Sequence, residues 1–317
     1  MRDQGNGGRE KARTAGSIRK MLTERIAGVE TGRRIIASPK TFRSFDLSDR
    51  QFREISDVVK SICGINLHQG KRELVKARLA KRLRLLGLSG YKEYLQYIEN
   101  DASGEEFVAM LDALSTNLTG FFREADHFAH LTRDALPGLI ERAQKRDRRV
   151  RMWSAGCSSG EEPYSMAVIV HESVPNLSEW DIRILATDLS TRMLARAKEA
   201  VYPKKRIETV PAMNRARYFT CIQNRPEKLY EVNDNLRSLV HIARLNLMDE
   251  WPMKGPFDVI FCRNVMIYFD KETQSELVEK FWRILAPGGY LYIGHSESLT
   301  GVKHRFRYVQ PTVYQKT

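Results

Sequence analysis

Residues 149 to 165, RVRMWSAGCSSGEEPYS, run from a short apolar strand through a turn of glycine and small residues into a helix headed by two acids. A strand that passes into a helix through so tight a turn belongs to an α/β fold, in which parallel strands alternate with crossover helices. Gly156 and Gly160 let the backbone turn sharply and approach a ligand closely, and Ala155, Cys157, Ser158 and Ser159 leave room beside it. Glu161 and Glu162 bear on what that ligand is. A helix N-terminus ordinarily favours phosphate, but two carboxylates placed there repel a pyrophosphate. The glycine spacing is not GxGxxG and no phosphate-binding lysine follows. A cationic or neutral nucleoside fits the turn better.

The alternation continues downstream. Apolar strand segments are expected at 150–155, 182–187, 238–243, 257–262 and 290–294, with helices at 162–173, 190–200 and 271–285 between them. Asp270 is placed to cap the last helix and Gly288-Gly289 to stop it. Residues 201–237 break the pattern and read as an inserted small β-subdomain. Upstream, Phe52, Ile55, Val59 and Ile62, then Leu79, Leu83 and Leu86, then Tyr91, Tyr94, Leu95 and Ile98, then Phe107, Met110, Leu111 and Leu114 recur at helical spacing. The organisation expected is a flexible basic tail over 1–44, a helical domain over 45–123, a linker helix over 124–148 and an α/β domain over 149–317.

Charge and cysteine usage exclude several classes. The net charge is +13, and two stretches account for most of it. Residues 1–40 hold ten Lys/Arg against four Asp/Glu, and residues 71–84 hold seven against one, so each contributes +6. An acidic partner is implied, with Lys76, Arg78 and Arg82 on the exposed face of the second stretch as the docking residues. The four cysteines lie far apart without a CxxC pair, so neither a zinc knuckle nor a disulfide framework is expected, and no metal is assigned. The N-terminus lacks an apolar signal core and no apolar run approaches membrane-spanning length, which points to a cytoplasmic protein that is not membrane-inserted.

In an open α/β sheet the ligand lies beyond the carboxyl ends of the strands. Four such ends carry suitable groups: the GCSSGEE turn with Gly156; Asp188 in ILATDLS, able to accept from both hydroxyls of a ribose; Asn246 and Leu247, suited to an adenine edge; and Arg263 and Asn264 after FDVIFC, with Tyr268 one helical turn onward. An aspartate before a helix is more often a cap, and a tyrosine in VMIYF more often core. It is their recurrence at four strand ends that argues for a site.

Together with NLTGFFRE upstream and LAPGGYLYIGHSESL downstream, these motifs resemble the CheR family of chemoreceptor protein-glutamate O-methyltransferases over roughly residues 45–312. The resemblance implies a class I S-adenosylmethionine-dependent methyltransferase domain, Rossmann-like, behind a small all-helical domain, with S-adenosylhomocysteine as product. It implies that Asn117, Thr119 and Arg123 reach cofactor and reaction centre from the linker. By the same resemblance Glu161 holds the cofactor, Asp188 the ribose, Asn246 and Leu247 the adenine side, and Arg263 and Asn264 the rest of the pocket. Arg123 and Tyr268 would then lie nearest the transferred methyl. The expected partner is the cytoplasmic part of a methyl-accepting receptor, whose acidic helices a basic helix would steer. A receptor pentapeptide tether is not expected, since CIQNRPEKLYEVND lacks the family's Gly-x-Gly turn; a monomer is. A nucleic-acid methyltransferase is the first rival, opposed by the absence of an NPPY-type loop and of interleaved bases and aromatics. A non-catalytic cofactor-binding adaptor is the second.

Overall fold

The computed structural model describes residues 45–115 and 117–317. The basic tail expected over 1–44, and with it any use of that charge, lies outside the described residues. The chain divides into two compact units between Thr116 and Asn117.

In the first unit, helices Asp49–Cys63, Arg72–Leu86, Tyr91–Asn100 and Glu105–Leu114 follow from the apolar spacing. Ser48 opens the first with a reciprocal capping box with Gln51, and Gly64 ends it in the left-handed conformation at φ 74°, which glycine adopts without a Cβ clash. Phe52, Ile55, Val59, Leu79, Leu83, Tyr91, Tyr94, Phe107 and Met110 are buried, as their periodicity requires.

The second unit is built on a mixed seven-stranded sheet of order β6-β2-β1-β7-β8-β10-β9. The strands are β1 Arg149–Ala155, β2 Asp181–Asp188, β6 Val240–Arg244, β7 Phe257–Cys262, β8 Leu285–Ile293, β9 Arg307–Gln310 and β10 Val313–Gln315. Strands β6, β2, β1, β7 and β8 run parallel, while β10 pairs antiparallel with β8 and β9. Side chains alternate across this sheet with period two. Val150 and Met152 of β1 and Val259 and Phe261 of β7 face one core with Leu136, Leu139 and Tyr164. Trp153, Ala155, Ile260 and Cys262 face the other with Leu277 and Phe281. Helices therefore cover both faces, and the chain reverses its direction of travel across the sheet between β1 and β7. That switch point is where an open α/β sheet offers a crevice.

The inserted segment forms its own three-stranded antiparallel sheet, β3 Val201–Pro203, β5 Leu229–Val232 and β4 Phe219–Gln223, with β5 central.

Four expectations are corrected. The helical unit ends at residue 116 rather than 123, because Phe121 is buried in the core of the α/β unit. The linker helix expected over 124–148 is helical from Ala125 to Gln144, but it is part of the α/β unit and not a separate linker, with Phe128, Leu131, Leu136 and Leu139 in that same core. The last long helix, Lys271–Ile284, is capped by Asp270 as expected but stops before the glycines. Gly288 and Gly289 instead lie inside β8, where the register against β7 is irregular and a Cβ on Gly289 would meet the Asp258 carbonyl at 3.0 Å.

The fourth concerns the basic face. Arg82 is paired with the buried Glu106, which also accepts from Tyr94 Oη at 2.7 Å. Arg78 donates to the Leu114 carbonyl, and Lys76 lies 3.4 Å from Asp46. These three side chains are half-buried and internally engaged, whereas Lys81 and Arg84 on the same helix are exposed. Leaving Glu106 buried without its cation is costly, so Arg82→Ala is expected to lower the stability of the full chain by about 3 kcal/mol in urea denaturation. Lys81→Ala is expected to stay within about 0.5 kcal/mol.

Candidate functional site

The turn after β1 is set by its neighbours. The amides of Gly156 and Cys157 both donate to the Thr187 carbonyl, at 2.8 and 2.9 Å, which docks the turn on the end of β2. Gly156 has φ 90°, and a Cβ there would sit 2.4 Å from Val265 Cγ2; Gly160 has φ 97°, and a Cβ there would sit 2.8 Å from Tyr202 Oη. Both glycines are thus required by backbone conformation and by close approach.

Asp188, at the end of β2, accepts from the amides of Ser158 and Ser190, each at 2.8 Å. Its carbonyl accepts from Leu245 at 3.2 Å, which draws the end of β6 alongside. Asn246 follows, its side chain closing a turn by accepting from Met248 N at 3.2 Å and donating to Asp249 at 3.0 Å, while Leu247 is buried in the core under β7. From the preceding segment, the Asn117 carbonyl accepts from Ser158 Oγ at 3.3 Å, and the buried Asn117 Nδ2 has no hydrogen-bond partner. A buried amide without a partner is rare and suits a ligand acceptor at this turn.

Arg263 organises the remainder. It is 5% exposed. Its guanidinium lies 3.1 Å from Glu124 and 3.4 Å from Glu162, donates to the Arg123 carbonyl, and packs over the rings of Phe128 and Phe261. Asn264, at φ 60°, donates from Nδ2 to Glu124 at 3.2 Å. The segment bearing Asn117, Thr119 and Arg123 is thereby fixed to the loop after β7. Phe122 N donates to Ser165 Oγ at 3.0 Å, and Phe121 packs edge-on against Tyr202 and Phe219, which accounts for the paired phenylalanines. Arg123 itself is half-buried, with Nη1 2.5 Å from the Leu118 carbonyl. Tyr268, also half-buried, ends the short helix Met266–Tyr268 one turn beyond Asn264.

Of the residues singled out in the sequence, Asn117 meets the turn of Gly156 through Ser158, Asp188 binds that same turn, and Asn264 meets the segment of Thr119 and Arg123 through Glu124; Asn246 and Tyr268 lie on the adjoining loops after β6 and β7, and Leu247 is in the core. Two side chains are committed elsewhere. Glu161 is fully buried, accepts from Ser159 Oγ at 2.7 Å and pairs with Arg206 of the inserted segment. The Arg263 guanidinium is occupied by Glu124 and Glu162, so its side chain ties the framework of the site together. Sequence reasoning passed over Glu124 and Arg206, and it read Glu162 only as an acid at the helix start, without its partner Arg263. Glu124 stands in the NLTGFFRE motif, but nothing local shows that it answers Arg263, 139 residues away.

The electrostatics follow from burial. Desolvation lifts the Glu124 carboxyl, but Arg263 and the hydrogen bonds from Asn264 and His295 outweigh it and hold it below the ordinary carboxylate value. Burial raises Glu162, with Arg263 opposing. Glu124, His127 and His295 bring one ligand atom each within 4.8 Å of one another; the positive charge at that point is already supplied by Arg263.

Residues 117–315 match the CheR methyltransferase, SAM binding domain, and residues 50–115 the CheR methyltransferase, all-alpha domain. A probable chemotaxis protein methyltransferase of Rhizobium etli is 43% identical over 261 residues, 82% of this chain and 97% of its own length. Chemotaxis protein methyltransferases of Borreliella burgdorferi and Escherichia coli are each 39% identical, over 83% and 84% of this chain and 94% and 91% of their own lengths.

His127 gives a test of this environment. It is fully buried, with Nε2 2.6 Å from Thr312 Oγ1 and Nδ1 3.4 Å from a Glu124 oxygen without a hydrogen bond. Burial, reinforced by Arg263, holds its pKa down to about 3. The folded chain keeps this imidazole neutral where the unfolded chain protonates it near pH ~6.5. Between those values the unfolded state binds one more proton, so His127 makes stability fall with decreasing pH by about 1.4 kcal/mol per unit. His127→Gln is expected to remove that one-proton slope from urea stability measured between pH 4 and 6. Identical slopes for variant and parent would contradict it.

Proposed function

The chain belongs to the CheR methyltransferase family, and we propose that it transfers methyl groups from S-adenosylmethionine to glutamate side chains on the cytoplasmic helices of chemotaxis receptors. The observation that supports this best is the segment bearing Asn117, Thr119 and Arg123, held over the β1–β7 switch point by Arg263 and Glu124. It presents a cation beside a turn suited to a nucleoside.

The residues fit that cofactor. Asn117 has an unpartnered buried amide, Asp188 offers a carboxylate at the strand end, Asn246 and Leu247 stand beside it, and Asn264 faces the turn's far side. Glu161 is the carboxylate suited to the cofactor's ammonium group, a cation it would take in place of Arg206. When bound, the cofactor supplies a methyl group activated by a sulfonium. The acceptor carboxylate is already ionised near pH 7, its ordinary pKa being about 4.3, so no general base is needed. Opposite charges cancel during the transfer, so water, which stabilises separated charges, opposes it. The protein's task is alignment. Arg123 can grip the acceptor carboxylate by charge-assisted hydrogen bonds and fix which oxygen faces the methyl, and Tyr268 can donate a hydrogen bond or pack beside the sulfonium.

On the helix Arg72–Leu86 the exposed cations, suited to acidic receptor helices, are Lys81 and Arg84 rather than Lys76, Arg78 or Arg82. Among the described residues no helix is long and apolar enough to cross a membrane. We place the protein in the cytoplasm as a monomer, on its receptor substrate.

Mass spectrometry of receptor peptides incubated with enzyme and cofactor is expected to find a methyl ester on glutamate. Cofactor binding without transfer to any receptor would overturn the reading in favour of an adaptor. Arg123→Ala is expected to lower turnover with radiolabelled cofactor by roughly a hundredfold while calorimetry finds cofactor affinity changed by less than about threefold. The pair Lys81→Glu with Arg84→Glu is expected to raise KM for a receptor fragment about fivefold at low salt and less at high salt, with cofactor affinity unchanged.

A further inference from the structure

Glu297 lies just beyond β8 in the run GHSES and is 7% exposed. Its carboxylate receives backbone amides of the neighbouring loop. One oxygen accepts from Asn264 N at 3.0 Å and from Gly294 N; the other accepts from Ile267 N at 3.2 Å, and the Met266 amide also contributes. The Glu297 amide in turn donates to the Gly294 carbonyl at 2.8 Å. One side chain thus satisfies donors that a strand end followed by a single short helical turn leaves without partners.

The loop needs such an anchor. Asn264 is held at φ 60°, a left-handed conformation that asparagine tolerates but does not fix by itself. Gly294 presses against it so closely that a Cβ would fall 2.5 Å from Asn264 Nδ2 and 2.7 Å from Asn264 N. The amides that Glu297 collects run from Asn264 to Ile267, the stretch that joins Asn264 to Tyr268.

We propose that Glu297 is a positioning residue for methyl transfer: its carboxylate clamps the loop 264–268 so that Asn264 and Tyr268 hold their places at the site. This rests on the roles given above to those two residues. Glu297→Gln keeps the volume but turns an NH2 group toward amides that need an acceptor. Glu297→Asp keeps the charge and withdraws it by one methylene.

The test uses the full chain. In Glu297→Gln, hydrogen exchange at residues 264–267 is expected to speed up about tenfold or more, S-adenosylmethionine affinity to weaken about tenfold, and kcat on a receptor fragment to fall at least about tenfold with KM for the fragment within about twofold. Glu297→Asp falls between variant and parent on each measure and guards against a Gln variant that fails to fold. Tyr268→Phe costs less turnover in the Gln background than in the parent, since the two act through one loop. A folded Glu297→Gln with parental exchange and parental kcat overturns the proposal, as does a loss accounted for wholly by a lower folded fraction. If the parent methylates no receptor fragment, the substrate reading fails by itself, while exchange and cofactor affinity still decide the role of Glu297.

Discussion

The guanidinium of Arg263 is the point on which the second unit's site depends. Burying a cation costs several kcal/mol unless it is paired and hydrogen-bonded, and here the cost is offset by two carboxylates, a carbonyl and two aromatic faces. Those partners come from separate parts of the chain: Glu124 and the Arg123 carbonyl from the entering segment, Glu162 from the helix after β1, Phe261 from β7. Without the arginine, two buried acids would face each other with no cation between them. The entering segment holds its path because the charge at the end of β7 requires it, and this path brings Arg123 and Asn117 to the strand ends.

The crevice itself follows from topology. Because the chain places β2 on one side of β1 and returns to place β7 on the other, the loops after β1 and β7 diverge in sequence yet meet in space. The contact between Gly156 and Val265 is so close that no Cβ fits. The glycine turn, which alone implied only a nucleoside, is therefore half of a two-walled structure whose other half is the loop that Glu297 clamps.

Much of this was legible from the sequence. The alternation of Val150, Met152, Trp153 and Ala155, and of Val259 to Cys262, marks strands buried on both faces, and the strand ends named the polar residues that gather there. The last two strands were not legible: RYVQ, the edge strand, carries mostly exposed side chains, because a strand at the sheet margin buries little and needs no apolar run, and VYQ, though Val313 and Tyr314 are buried, is too short to show a period. Nor can a helical wheel show that Arg82 is taken by Glu106, 24 residues on, so a stripe of bases read as a free surface. The same limit hid Arg206 and Glu297. Long-range pairing of charges leaves no periodic trace, and a short motif shows which residues stand together but not which distant residue each one answers.

The two acids that open the helix Glu161–Ser173 show how far such pairing shapes function. Each gains a little from the positive end of the helix, about 0.3–1 kcal/mol for an exposed group, far less than the desolvation of a buried carboxylate. The larger compensation is specific. Glu162 takes Ser154 Oγ at 2.6 Å and Arg263, while Glu161 takes Ser159 and Arg206. The second of these arginines lies on the inserted segment, whose Tyr202 also donates to the Ser159 carbonyl and packs on Phe121. The insertion is therefore continuous with the glycine turn, so a change in how its first strand packs reaches Glu161 through one ion pair and one tyrosine. Two buried acids at one helix start are in this way stabilised by cations from distant parts of the chain, Arg263 from the loop after β7 and Arg206 from the short helix Lys204–Ile207 of the insertion.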